Sequence, residues 1–222
     1  MAPNLPVILC FHGYGSSGAI FNAQARRIQA SLRRKFRFVF LDGESICPPG
    51  PGVSQVFGDS GPFYSWFDCD SDSEDRASIN ANLSGVDKAV QKKLFAKGVC
   101  SADVVGVLGF SQGCMVATYL LMQAQHGNMQ WSNVRFGAFF CGACADDIVD
   151  GQTEVQLPSL HVHGLDDAYL DRSRMLTTMF NEQKAEIFEF DGDHRMPTSK
   201  TDNDSLAAKI ECLSKMERKL VY

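Results

Sequence analysis

Short apolar runs alternate with longer stretches of mixed polarity along the chain, a pattern typical of strands that alternate with helices. The clearest run, Val104–Phe110 (VVGVLGF), is apolar and rich in valine, as expected for a strand buried on both faces. Good helix formers without Gly or Pro follow it over residues 114–125. Similar apolar runs predict further strands at residues 7–11, 36–41, 136–141, 157–163 and 186–190.

The segments between these runs predict helices over residues 19–35, over about twenty residues ending near Lys97, and over residues 171–180 and 204–220. Neither repeats nor low-complexity segments interrupt the alternation. We therefore predict an α/β fold in which a mostly parallel central sheet carries helices on both faces. A length of 222 residues suits a single domain spanning 1–222.

Composition and charge exclude several classes of protein. A net charge of −5 and a pI near 5.5 argue against a nucleic-acid partner, which requires a basic face. No apolar run is long enough to span a membrane, and the amino terminus lacks the basic segment of a secretory signal. The eight cysteines are scattered through predicted strands and helices, which favours reduced thiols. These features predict a soluble, cytoplasmic protein.

The sequence Gly109-Phe110-Ser111-Gln112-Gly113 lies between the valine-rich strand and its helix. This G-x-S-x-G pattern occurs by chance, but a preceding strand and a following helix are the context that a nucleophile elbow requires. A sharp strand-to-helix turn exposes the serine hydroxyl, and glycines on either side let the chain pass closely. The helix also directs its N–H groups at the place where an oxyanion would form.

Two strands further along the chain are followed by the remaining groups that such a serine needs. Asp166 and Asp167 follow one strand, and His194 follows the next. Because parallel strands bring their carboxyl ends to one edge of a sheet, we expect these side chains to meet Ser111 there. A serine nucleophile needs a base and an acid that orients the base, and the order Ser, Asp, His is that of an α/β-hydrolase.

A Pro-rich and aromatic-rich segment at about 44–72 is the longest predicted loop. Loops of this length in compact domains are uncommon unless they act as lids or binding loops. Its aromatic side chains either fasten it to the core or wall an apolar acyl pocket over the serine. The resulting candidate substrate-binding residues are Phe63, Tyr64 and Trp66, together with Met196 on the histidine loop.

Two further clusters have simple interpretations. Basic residues between Arg26 and Lys35 indicate a solvated helix face, with a docking patch for an acidic partner as the alternative.

The C-x-x-C sequence at residues 141–144 has no second cysteine pair and no histidine at ligand spacing nearby, so we predict neither a metal nor a redox site.

Four motifs give the chain a resemblance to the FSH family of serine hydrolases, which includes fungal thioesterases that release polyketides from carrier proteins. The motifs are residues 9–15 (LCFHGYG), 38–43 (FVFLDG), 109–113 (GFSQG) and 191–194 (DGDH). The resemblance extends from Pro6 to about Met216 and implies an α/β-hydrolase fold.

By position, the resemblance implies Ser111 as nucleophile, His194 as base and Asp167 as acid, with Asp166 its neighbour. The backbone N–H groups of Tyr14 and Gln112 match the oxyanion hole. No cofactor is implied. The expected activity is cleavage of an acyl thioester on the acyl carrier protein of a polyketide synthase in secondary metabolism. The alternatives are a short-chain carboxylesterase acting on free small esters and an inactive binding module with the same fold.

Overall fold

A computed structural model describes residues 5–67, 76–142 and 154–216, with the backbone alone for residues 76–84. The strands are β1 (Val7–Phe11), β2 (Arg37–Leu41), β3 (Ser45–Cys47), β4 (Phe63–Ser65), β5 (Val104–Phe110), β6 (Phe136–Phe140), β7 (Ser159–Gly164) and β8 (Ala185–Phe190). The helices are α1 (Gly18–Gln24), α2 (Arg26–Leu32), α3 (Val53–Phe57), α4 (Arg76–Ala96), α5 (Gly113–Gln125), α6 (Leu170–Thr177) and α7 (Lys200–Lys215). Within these ranges, no helix combines the length and apolar composition needed to cross a bilayer.

Six strands form one sheet in the order β2-β1-β5-β6-β7-β8, and every pair is parallel. The predicted α/β fold with a parallel central sheet is therefore confirmed. Because all six strands run the same way, the residues that follow β1, β5, β6, β7 and β8 collect at one edge. We call this edge the carboxyl edge of the sheet.

The alternation of side chains along the strands divides the core into two layers. In β1, Val7, Leu9 and Phe11 pack in the layer that contains α4, α5 and α6. Ile8 and Cys10 point the other way and join α1, α2 and α7. Strands buried on both faces explain why β1, β5 and β6 are continuous apolar runs rather than alternating ones.

Several predicted elements differ from the structure, among them the helix expected over 171–180, which ends at Thr177. The helix expected over 19–35 is broken at Ala25, which separates α1 from α2. The last helix begins four residues earlier than expected, where Ser199 caps it by accepting a hydrogen bond from the Asp202 N–H. The long loop is also more ordered than predicted, because β3 and β4 pair as an antiparallel hairpin with α3 between them. Residues 68–72 of that loop, and 217–220 of the last helix, lie outside the described residues.

Candidate active site

Ser111 occupies the sharp turn that the glycine spacing predicts. It follows β5 directly and has a φ of 50°, in the left-handed region that costs a non-glycine residue about 1–3 kcal/mol. A Cβ atom on Gly109 would lie 2.6 Å from the Cα of Cys114, and one on Gly113 would lie 2.1 Å from the Phe11 carbonyl oxygen. Larger residues at either glycine would therefore push α5 away from β1 and β5.

The histidine and one of the two aspartates meet at the carboxyl edge. The Nδ1 atom of His194 lies 2.8 Å from Oδ2 of Asp167, and the backbone N–H of Tyr169 donates to Oδ1 at 2.8 Å. The Asp167 side chain is fully buried, whereas that of His194 is 25% exposed. Asp166 is exposed to solvent and has no such contact with His194. The structure therefore pairs the histidine with Asp167.

Backbone hydrogen bonds join the loop that follows β7 to the loop that follows β8. The Leu165 N–H donates to the Phe190 carbonyl at 3.0 Å, and the Asp166 N–H donates to the Gly192 carbonyl at 2.9 Å. The His194 ring in turn packs against Phe110, the residue before Ser111, with 5.1 Å between ring centroids. The imidazole consequently lies beside the elbow and at the same edge of the sheet as Ser111.

The family described as serine hydrolase (FSH1) matches residues 1–206. The chain belongs to this family. A probable esterase of Aspergillus terreus is 36% identical to this FSH1 serine hydrolase over 234 residues, covering 95% of this chain and 89% of that protein.

Two relatives of this FSH1 serine hydrolase are named thioesterases. Thioesterase FSL2 of Gibberella zeae is 31% identical over 227 residues, which covers 93% of this chain and 91% of its own. A thioesterase of Aspergillus terreus, named for dihydromonacolin L and the lovastatin nonaketide synthase, is 31% identical over 222 residues, covering 88% of this chain and 87% of its own.

Solved structures agree with the fold at much lower sequence identity. A carboxylesterase from Mesorhizobium loti superposes with a TM-score of 0.65 at 18% identity, over 93% of this chain and 88% of that one. Esterase PE8 gives a TM-score of 0.63 at 19% identity, over 94% and 92%. This chain therefore has an α/β-hydrolase fold.

The loop that follows β1 carries Tyr14 and is held by the segment predicted to act as a lid. The Gly50 N–H donates to the Gly15 carbonyl at 2.9 Å, and the Gly15 N–H donates to the Tyr64 carbonyl at 3.1 Å. The Tyr64 N–H completes the set by donating to the Ser16 carbonyl at 2.7 Å. In the described residues, this segment therefore buttresses the Tyr14 loop.

Buried side chains extend this support to the elbow. The Gln112 amide accepts from the Trp66 N–H at 3.0 Å and donates to the Phe67 carbonyl at 3.0 Å. The Trp66 indole N–H donates to the His12 carbonyl at 2.8 Å. The His12 ring lies between the Gly13 carbonyl and the Gly43 N–H, and burial lowers its pKa to about 4. His12 is therefore a neutral structural residue, since only an unprotonated nitrogen can accept from Gly43.

The four candidate substrate-binding residues differ in exposure. Phe63, Trp66 and Met196 are buried in the hydrophobic core, and only Tyr64 is partly exposed. Burial of Phe63 and Trp66 matches the alternative in which the aromatic residues fasten the segment to the core. A substrate-binding role for any of the four stays a prediction.

An aromatic residue that the sequence did not single out lies at the site. Tyr169 is 43% exposed, and its ring stands edge-on to the His194 ring at 5.1 Å between centroids. The guanidinium carbon of Arg172 lies 6.0 Å from the Tyr169 ring centroid. A half-exposed aromatic ring therefore lies directly beside the imidazole. Tyr169 directly precedes α6 and belongs to none of the motifs that indicate the site in the sequence.

Cys141, the first cysteine of the C-x-x-C sequence, also lies at the site, a position that the sequence analysis did not predict for it. Its sulfur, a carboxylate oxygen of Asp167 and a ring nitrogen of His194 all lie within 4.8 Å of one another, which is also a spacing that a metal ion can use. A metal would need the thiolate form. Burial, followed by the negative charge of Asp167, raises the pKa of the Cys141 thiol to about 12, which favours the neutral thiol. Cys144, the other cysteine of the C-x-x-C sequence, lies outside the described residues.

Proposed function

We propose that this serine hydrolase cleaves an acyl thioester carried by an acyl carrier protein, using Ser111 as nucleophile, His194 as base and Asp167 as acid. The hydrogen bond between His194 and Asp167, formed beside the elbow, carries the proposal. It directs Nδ1 of the imidazole toward the acid, and this leaves Nε2 to accept the serine proton. The left-handed turn at Ser111 supports the role of its hydroxyl as the attacking group.

In the first half of the reaction, the Ser111 oxygen forms a bond to the thioester carbonyl carbon while His194 takes the hydroxyl proton. The negative charge moves to the carbonyl oxygen, where the N–H groups of Tyr14 and Gln112 stabilise it. One such donor contributes about 3–4 kcal/mol in other serine hydrolases. The carbon–sulfur bond then breaks, and the leaving thiol takes the proton from His194.

In the second half, water attacks the acyl-enzyme. His194 removes a proton from the water as its oxygen bonds to the acyl carbon. The bond between the carbon and Ser111 breaks, and the serine oxygen regains the proton from His194. The products are the free acid and the unmodified enzyme, and these steps use no group outside the chain other than water.

The carrier-bound substrate is supported by relatives rather than by a docking surface. Two relatives that match nearly the whole chain are named thioesterases, and one of these names includes a polyketide synthase. The basic cluster gives no further support, because exposed Arg33 and Arg34 lie in the short turn between α2 and β2, at the amino edge of the sheet. That edge is separated from the reaction by the length of β5, about 23 Å for seven extended residues.

The experiment compares hydrolysis of an acyl thioester on a purified carrier protein with hydrolysis of a free aryl ester, and follows acylation of Ser111 by intact mass spectrometry. We expect faster turnover of the carrier-bound substrate and an acyl adduct that Ser111→Ala abolishes. The control Arg33→Glu with Arg34→Glu should retain wild-type carrier turnover. Faster turnover of the free ester would instead identify a short-chain carboxylesterase. Failure of folded protein to react with a fluorophosphonate at Ser111 would identify an inactive binding module.

A further inference from the structure

The carboxyl end of β6 contacts all three parts of the proposed triad. The carbonyl of its last residue, Phe140, accepts a hydrogen bond from the Ser111 N–H at 3.0 Å. Cys141 follows with a φ of 46°, and its own N–H donates to the Val162 carbonyl of β7 at 2.8 Å. A non-glycine residue is strained in this conformation and persists there only where its surroundings hold it. The turn directs the Cys141 side chain at the acid.

The Cys141 thiol, which carries one proton, faces acceptors on both sides: the Arg195 carbonyl after β8, and the Gly164 carbonyl and the Asp167 carboxylate at the end of β7. Its sulfur lies 3.5 Å from the carbonyl oxygen of Arg195, the residue directly after His194. It also lies within 4.8 Å of the Asp167 carboxylate and of a His194 ring nitrogen, and a hydrogen bond with Asp167 contributes to the raised pKa of the thiol. Cys141 therefore touches the loop that carries the acid and the loop that carries the base.

We propose that Cys141 is a positioning residue that fixes Asp167 and the His194 loop relative to each other through its thiol. The inference rests on the proposed triad, since Cys141 acts on the acid and the base and not on substrate. A thiol suits the position because it is a weak donor that fits among buried groups. With a pKa near 12 it keeps its proton at neutral pH and adds no second negative charge beside Asp167.

The thiol also influences how strongly the Asp167 carboxylate favours protonated His194. A donor to the carboxylate offsets part of its negative charge, so its removal should favour the imidazolium. Other ionisable groups near the site include Tyr169, whose ring packs against His194, with Arg172 over that ring. They also include His163, which interacts with the Asp167 charge, and the ion pair between Arg195 and Asp193. All of these groups remain in a variant of Cys141, so a change in the pH profile would report the loss of the thiol.

The test measures kcat/KM for an activated ester against pH in Cys141→Ala, Cys141→Gly and Cys141→Ser, with Cys10→Ala as the matched control. Cys10 is equally buried, but its sulfur contacts the Ile8 carbonyl in β1. We expect kcat/KM to fall about tenfold in the alanine and glycine variants, the size of one lost hydrogen bond to a charged group. Their acid limbs should move to higher pH. Serine, which keeps a donor, should stay within about threefold of wild type.

The glycine variant separates the thiol from the backbone, because glycine adopts the left-handed conformation without strain. If glycine restores the activity that alanine loses, Cys141 serves only the turn and the proposal is overturned. The proposal is also overturned if kcat/KM and its pH profile are unchanged in both the alanine and the glycine variant. It is overturned as well if kcat/KM falls only in proportion to the melting temperature while the pH profile stays unchanged. None of these results contradicts the proposed function, provided that the wild-type enzyme is acylated at Ser111. If Ser111→Ala retains wild-type turnover, the triad fails and the role of Cys141 fails with it.

Discussion

Replacing Asp167 with Asn tests the pairing on which the proposed mechanism depends. Both carboxylate oxygens accept hydrogen bonds, one from His194 Nδ1 and one from the Tyr169 N–H. An amide offers one acceptor oxygen and one donor group. If its oxygen faces Tyr169, its NH₂ faces His194 and forces the imidazole proton onto Nε2, which then cannot accept the serine proton. If the amide is turned over, two buried donors face each other at a cost of about 1–3 kcal/mol.

The size of the effect follows from the charge that the transition state places on the imidazole. Opposite unit charges 2.8 Å apart, the distance between His194 and Asp167, attract by about 6 kcal/mol at an effective dielectric constant of about 20. A neutral amide loses most of this attraction. At about 1.4 kcal/mol for each tenfold change in rate, we expect Asp167→Asn to lower kcat by about 10⁴.

The assay measures kcat and KM on a free aryl ester and on a carrier-bound thioester, with circular dichroism to verify folding. Asp166→Asn is the matched control, because Asp166 is the neighbouring acid but is exposed and makes its backbone contact to Gly192 through an N–H that the substitution keeps. It should retain activity within about twofold, as for surface substitutions generally. The reasoning is refuted if folded Asp167→Asn keeps more than about a tenth of wild-type kcat, or if Asp166→Asn loses as much.

Two predictions concern the supporting structure. Gly113→Ala places a Cβ against the Phe11 carbonyl and should lower kcat/KM, and it should lower the free energy of unfolding by about 2 kcal/mol. Gly85→Ala, in open space on α4, should raise the free energy of unfolding by about 0.5–1 kcal/mol. Urea unfolding measures both variants, and a change of the same sign in the two would contradict the packing at Gly113. Burial lowers the pKa of His12 to about 4 and that of His161 to about 3. As the pH falls, the unfolded chain therefore binds these two protons before the folded chain does. The free energy of unfolding should fall between about pH 6.5 and 4, by up to about 1.4 kcal/mol per pH unit for each histidine. His161→Phe should reduce this slope, and an unchanged slope would assign the acid sensitivity to other groups.

Sequence reasoning was most successful where the information is local. The strand Val104–Phe110 matches β5 because seven apolar residues in a row can be buried on both faces of a sheet. The elbow was also predictable, because its strand, turn and helix are consecutive in the sequence and Gly109 contacts Cys114 within them, although the contact that requires glycine at position 113 is with the Phe11 carbonyl of β1. The break at Ala25 was not, because residues 19–35 contain neither Pro nor an internal Gly to mark it.

The segment at about 44–72 forms contacts that its local sequence does not predict. Its prolines and glycines predicted an irregular loop, yet Ser45–Cys47 pairs with Phe63–Ser65, and Tyr64 bonds to the Tyr14 loop. These contacts join residues that are up to about fifty positions apart, and no short stretch of sequence records them. The same limit applies to Gln112, whose side chain holds Trp66 while its backbone is the proposed oxyanion donor.

The sequence by itself determined the class of fold, the serine at its strand-to-helix turn, and the supply of acids and a histidine after later strands, because periodicity and glycine sterics act over a few residues. The order of the residues left Asp166 and Asp167 open, and the family resemblance implied Asp167; the tertiary structure shows that Asp167 bonds His194 and that Cys141 lies against both. Adjacent residues after a strand point in different directions, and which one meets a partner depends on how separate loops pack at the sheet edge. That packing depends on the whole core and cannot be predicted from the sequence of the loop after β7 or of the loop after β8.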